Sequence, residues 1–66
     1  MSDAKERVYS ATYTRVARVG LDKTTLDDVA KEAEILRATL YRMFPGGREQ
    51  ILRETIGAEM NHFLFP

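Results

Sequence analysis

The sequence predicts an all-α fold, a bundle of three helices followed by the start of a fourth. Three observations support this. Apolar residues recur at spacings of three and four, and no strand-period alternation of useful length appears. Gly20, the run Pro45-Gly46-Gly47, Gly57 and Pro66 divide the chain into helix-sized pieces. Helix-starting residues stand where those pieces begin.

The first helix is predicted over about 3–19. Asp3 and Glu6 stand in capping-box spacing, and Val8, Ala11, Thr12, Val16 and Val19 mark one buried stripe. Arg15 lies beside that stripe, so it either snorkels its head to solvent or weakens the packing. Tyr9, Tyr13 and Val16 read as packing residues. Gly20 is expected just past the helix end, in the left-handed conformation.

The second helix, about 25–33, has the clearest start. Thr25 caps, Asp28 follows three residues later, and Asp27 and Asp28 favour the positive end of the helix dipole. Leu26, Val29, Ala30 and Ala33 form its inner face. The third helix, about 37–44, ends where Pro45 cannot continue it. The fourth begins near Gly47, with Ile51, Leu52, Ile56, Met60, Phe63 and Leu64 at helical spacing. Gly57 interrupts it at a cost of about 1 kcal/mol. Residues 1–46 are expected to form the domain proper, and 47–66 to be the fourth helix leading out of it.

A chain of 66 residues allows one small domain. Domains of this size bury roughly 60% of their unfolded surface. There is no Cys, one His (His62) and no Trp, so a catalytic or metal site has few residues to draw on. No catalytic residue, metal or cofactor is expected, and the chain does not read as an enzyme. No apolar run approaches the roughly 20 residues that cross a bilayer. The charged N-terminal stretch has no signal-peptide pattern, so a cytoplasmic, nucleoid-associated location is expected.

Bases and acids balance at ten each, so distribution says more than net charge. In 5–18, Lys5, Arg7, Arg15 and Arg18 outweigh Glu6. In 22–34, Asp22, Asp27, Asp28, Glu32 and Glu34 outweigh Lys23 and Lys31. In 35–48, Arg37, Arg42 and Arg48 meet no acid. If folding brought the two basic segments to one face, a polyanion could bind there.

The second and third helices form the informative pair. Two short helices joined by a few residues, packed on a longer first helix, make a helix-turn-helix. In that motif the second helix of the pair enters the major groove of DNA. The third helix needs one narrow apolar stripe for docking, here Leu40 and Phe44. Its other face holds Arg37, Ala38, Thr39, Tyr41 and Arg42. Arg can donate to guanine, Thr can bond several base edges, and Ala or a Thr methyl can touch the thymine methyl.

The stretch TTLDDVAKEAEILRATLYRMFPGGREQIL resembles the DNA-binding domain of the tetracycline-repressor (TetR) family of bacterial transcriptional regulators. The most specific parts are Thr24-Thr25, RATLYR, and Phe44-Pro45-Gly46-Gly47-Arg48. The resemblance implies a homeodomain-like helix-turn-helix that reads double-stranded DNA in the major groove as part of a repressor. It implies that Arg37, Ala38, Thr39 and Tyr41 face bases, and that Thr25, Tyr41, Arg42 and Arg48 touch phosphate. A helix start at Gly46-Gly47 would also favour an anion beside Arg48. The resemblance further implies a palindromic operator, a homodimer in the full-length protein, no membrane partner, and a small-molecule effector bound by a C-terminal domain that this sequence lacks.

The chain departs from the family pattern at four points. Glu34 stands where the turn usually has Gly, and Leu36 where a Ser or Thr usually caps the recognition helix. Met43 replaces a frequent His, and Arg15 a usual apolar residue. Leu36 is therefore either a missing cap or a core residue gained. Glu34, Leu36 and Met43 favour the competing expectation, a small helical protein-interaction domain that uses its apolar ending Phe63-Leu64-Phe65 and has lost DNA binding.

Overall fold

A computed structural model describes residues 3–64, and from residue 59 it describes the backbone alone. The described residues form four helices and no strand. These are α1 (Ala4–Val19), α2 (Leu26–Ala33), α3 (Arg37–Met43) and α4 (Gly47–Leu64). Helix α1 packs against both α2 and α4, while α3 packs against α2.

The helix starts follow the side chains expected to cap them. Asp3 accepts the Glu6 amide at 2.9 Å. Thr25 and Asp28 form a complete capping box: the Thr25 hydroxyl accepts the Asp28 amide at 3.1 Å, and the Asp28 carboxylate accepts the Thr25 amide at 3.3 Å. Hydrogen bonding of the Asp28 carboxylate by Thr25, through its hydroxyl first and its backbone amide second, holds that carboxyl below its ordinary pKa, and Arg15 adds to the effect.

The end of α1 differs from the expectation. Gly20 has φ 94° and ψ 159°, outside the left-handed helical region and in territory nearly restricted to glycine. Its amide still closes the helix by donating to the Val16 carbonyl at 2.9 Å.

The core comprises Val8 and Ala11 of α1, Val29, Ala30 and Ala33 of α2, Leu40 and Phe44 at α3, and Ile51 of α4. Tyr9, Leu26, Ile35 and Met43 pack against it part-buried. The expected stripe of α1 is deepest at its start. Val8, Ala11 and Thr12 are buried, whereas Val16 and Val19 are half-buried. Thr12 is accommodated because its hydroxyl donates to the Val8 carbonyl at 2.7 Å.

Tyr9 divides its contacts. Its ring meets Phe44 edge-on, with centroids 6.2 Å apart, and its hydroxyl donates to Glu54 of α4 at 2.9 Å. Tyr13, one turn later, is 57% exposed, so it does not extend the packing stripe. Ile56 is also exposed, contrary to the inner face expected of α4, because Ile51 and Thr55, one turn apart, are the residues turned into the bundle. Met60, Phe63, Leu64, Phe65 and His62 lie outside the residues whose side chains are described.

Arg15 neither snorkels freely nor disrupts the helix pair. Its guanidinium meets the Asp28 carboxylate at 3.4 Å, at the α1–α2 seam, although its Nε is buried without a partner.

The turn between α2 and α3 resolves the two departures there. Glu34 adopts the left-handed conformation, φ 58° and ψ 46°. Its amide donates to the Lys31 carbonyl, and the Ile35 amide donates to the Ala30 carbonyl at 2.9 Å, which together make a Schellman ending. Arg7 completes it from α1 by donating to the carbonyls of Ala33 at 2.7 Å and Glu34 at 3.2 Å. A cation at the carbonyl end of a helix is also favoured by the dipole. Leu36 makes no side-chain capping bond and is 76% exposed. It is a missing cap and not a core residue gained.

Leu36→Ser should therefore stabilise the protein by about 0.5–1 kcal/mol. Glu34→Gly should add a similar increment, because a non-glycine residue in the left-handed region costs about 1–2 kcal/mol, partly offset by the greater unfolded-state freedom of glycine. Thermal denaturation of both variants measures this; an unchanged or lower Tm for Leu36→Ser would contradict it.

The Gln50 amide at 2.8 Å and the Tyr9 hydroxyl hold the Glu54 carboxyl below its ordinary pKa. Its folded pKa lies below its unfolded value, so it stabilises the fold above about pH 4.3, the ordinary glutamate value. That contribution disappears as pH falls through the folded pKa. The acid-side fall of Tm should be shallower in Glu54→Gln than in the native chain, with the two curves converging at low pH. A constant offset between them would contradict this.

Candidate nucleic-acid interface

Helix α3 has seven residues, and its orientation is set by what it buries. Leu40 and Phe44 are fully buried against the bundle. Arg37, Ala38, Tyr41 and Arg42 are exposed, and Thr39 is half-buried. The outward face is thus the one expected to meet base edges, with Thr39 at its margin. Met43, which stands in place of a frequent His, packs part-buried against the core.

An open cleft of about 320 Å³ lies beside this face. It is lined by Thr25 and Leu26 at the start of α2, Arg37 and Tyr41 of α3, Arg48 of α4, and Asp22, Thr24 and Asp27. Four of the expected site residues, Thr25, Arg37, Tyr41 and Arg48, therefore meet around one depression although they come from three helices. Ala38, Thr39 and Arg42 lie on α3 away from its lining.

Each side chain in the cleft has a physical reason for its position. Thr25 is exposed and caps α2 through its hydroxyl oxygen, so the hydroxyl stands at the cleft edge beside the Asp28 carboxylate. Arg37 meets Asp27 of α2 at 3.1 Å and lies over the Tyr41 ring, 5.5 Å from its centroid. Thr24 is buried, and its hydroxyl donates to the Gly20 carbonyl at 2.9 Å, folding the α1–α2 loop under the start of α2.

Arg48 has a second task that its sequence context did not suggest. It pairs with neither Glu49 nor Glu32. Its Nε donates to the Thr24 carbonyl at 3.0 Å, and an Nη donates to the Leu21 carbonyl. It thereby ties the start of α4 to the loop that presents Thr25. Guanidinium has five N–H donors, so others stay available at the cleft. The Gly46 amide is engaged by Gln50 at 2.6 Å, and Gly47, at φ 73°, admits the chain to α4.

The fold does not gather the two basic segments on one face. Three arginines of α1 are turned toward α2: Arg7 to its terminal carbonyls, Arg15 to Asp28, and Arg18 to Glu32 at 3.8 Å, while Lys5 lies over the Phe44 ring. Basic α1 and acidic α2 neutralise one another. Around the cleft Arg37 and Arg48 face Asp22 and Asp27, with Arg37 paired to Asp27, and Arg42 adds a further positive charge on α3; among the described residues no ion pair involves Arg42. Sequence reasoning missed Arg7, Asp27 as a partner of Arg37, and Asp22 at the cleft. An acid in the first turn of α2 was visible, but its pairing needed the crossing of α2 and α3.

The helix pair, its left-handed turn and the outward face of α3 define a helix-turn-helix. Residues 8–55 match the family described as bacterial regulatory proteins, tetR family. The chain belongs to that family, and its four-helix unit is the family's helix-turn-helix DNA-binding domain. It is 32% identical over 60 residues to the biofilm operon icaADBC HTH-type negative transcriptional regulator IcaR of Staphylococcus epidermidis. That alignment covers 91% of this chain and 32% of the relative, so the chain spans about a third of the length of the curated relative it matches. No solved structure matches the chain. No helix among the described residues is long and apolar enough to cross a membrane.

Arg48→Ala should release the α1–α2 loop even without DNA. Hydrogen exchange at the amides of Thr24 and Asp28 should quicken, while amides in the middle of α1 change less. Unchanged exchange at these positions would show that Arg48 does not hold the loop.

Proposed function

We propose that this chain is the DNA-reading module of a transcriptional repressor and binds double-stranded DNA in the major groove. The observation behind this is the division of α3. Leu40 and Phe44 are buried, and an unbroken exposed face holds Arg37, Ala38, Tyr41 and Arg42. Arg37, Ala38, Thr39 and Tyr41 are assigned to base edges. Thr25, Tyr41, Arg42 and Arg48 are assigned to phosphate, where contacts set register and affinity and carry no sequence information. The matched negative regulator supports the repressor role. A palindromic operator, a homodimer, an effector bound by a further domain, and a cytoplasmic location complete the proposal. Two copies would then read half-sites about one helical turn, or a multiple of it, apart.

A competing role as a protein-interaction domain has one observation in its favour. Tyr13, Leu21 and Ile56 are exposed around an apolar groove between α1 and α4. Titration with mixed duplex DNA at low salt separates the two. DNA binding should weaken steeply with salt, with a slope of log K against log salt of about −0.9 per phosphate neutralised. No binding to any duplex at low salt would refute the proposal.

Within a DNA complex the arginines should differ. Arg42→Ala should weaken all sequences about equally and reduce the salt slope. Arg37→Ala should relax preference at one base position, at a cost of about 1–3 kcal/mol if Arg37 is bidentate to guanine. Equal loss on all sequences from both variants would refute this division of roles.

A further inference from the structure

We propose that Asp27 positions Arg37 and sets sequence discrimination, by holding that guanidinium ready for a base edge and by opposing contact with DNA that offers Arg37 no partner. The proposal rests on the DNA-binding reading above. Its geometric basis is the pair across α2 and α3, Arg37 Nε to Asp27 Oδ1 at 3.1 Å.

Three observations separate this pair from an ordinary stabilising contact. Both side chains are largely exposed, 61% for Arg37 and 67% for Asp27, and exposed pairs contribute little to stability. Asp28, not Asp27, supplies the capping box and the partner for Arg15. Asp27 also lines the cleft beside Thr25 and Arg48, where a carboxylate opposes a polyanion.

Arg37 is held from two sides, by Asp27 and by the Tyr41 ring 5.5 Å away. A guanidinium so confined loses less freedom when it aligns with a base edge. Its planar fork can keep Nε on Asp27 while both Nη groups donate to guanine. On the preferred sequence the carboxylate stays neutralised and orients a productive contact. On other sequences the pair persists, but Arg37 gains no base contact to offset the repulsion between the carboxylate and the phosphates. Asp27 therefore costs generic duplex more than preferred duplex.

The test begins with a preferred duplex selected by the native chain from a random pool. The affinities of native chain and Asp27→Asn for that duplex and a scrambled one of equal length are then measured over a salt series. The comparison is repeated with Arg37→Ala as background, and circular dichroism checks folding. Asp27→Asn should tighten the scrambled duplex roughly three- to tenfold at low salt and the selected duplex less, narrowing their ratio. With Arg37→Ala as background it should tighten both equally, because only the repulsion is then relieved. Equal tightening in the native background, or no change, would overturn the role of Asp27 and leave the DNA-binding reading standing. Failure of the native chain to bind any duplex at low salt would remove both.

Discussion

The burial of Phe44 is the constraint on which the arrangement depends. A seven-residue helix is too short to persist alone in water. Helix α3 exists because Leu40 and Phe44 are fully buried, and the choice of buried face decides which face remains outward. Phe44 stands at the last position before Pro45, so the helix ends where its anchor is placed. The ring meets Tyr9 edge-on and lies under the Lys5 ammonium, 5.6 Å from its centroid. Tyr9 continues the connection to Glu54. One side chain thus registers α3 against α1, and through Tyr9 against α4.

The turn before α3 shows how a fold absorbs an unfavourable residue. Glu34 is strained in the left-handed region, yet the Schellman bonds and the two donations from Arg7 hold it there. Arg7 also belongs to a wider pattern, in which arginines of α1 satisfy acids and carbonyls of α2. That pairing leaves the arginines of α3 and the start of α4 as the positive groups near the cleft. Proximity and not net charge governs the field that a ligand meets, so Arg42, with no ion pair among the described residues, weighs more there than the paired arginines of α1.

Local features of the fold were largely legible in the sequence. Caps at Asp3 and Thr25, the stop at Pro45, and the spacing of Val8 with Ala11 and of Leu40 with Phe44 all act within a few residues of one another. So does the outward face of α3, which is the complement of its buried stripe. The depth of burial along α1 and α4 was less legible. Val16, Tyr13 and Ile56 have the right spacing, but whether a stripe is covered depends on how far the opposing helix extends.

By itself the sequence determined four helices, where each of them begins, and the set of side chains α3 can offer to a groove, because capping and periodicity are short-range. Only the tertiary structure decided the partners. It turned Arg48 onto the carbonyls of Leu21 and Thr24, placed Arg7 at the end of α2, set Asp27 against Arg37, and left Leu36 in solvent. These contacts join residues brought together by helix crossing, and the pattern along a single helix contains no information about that crossing.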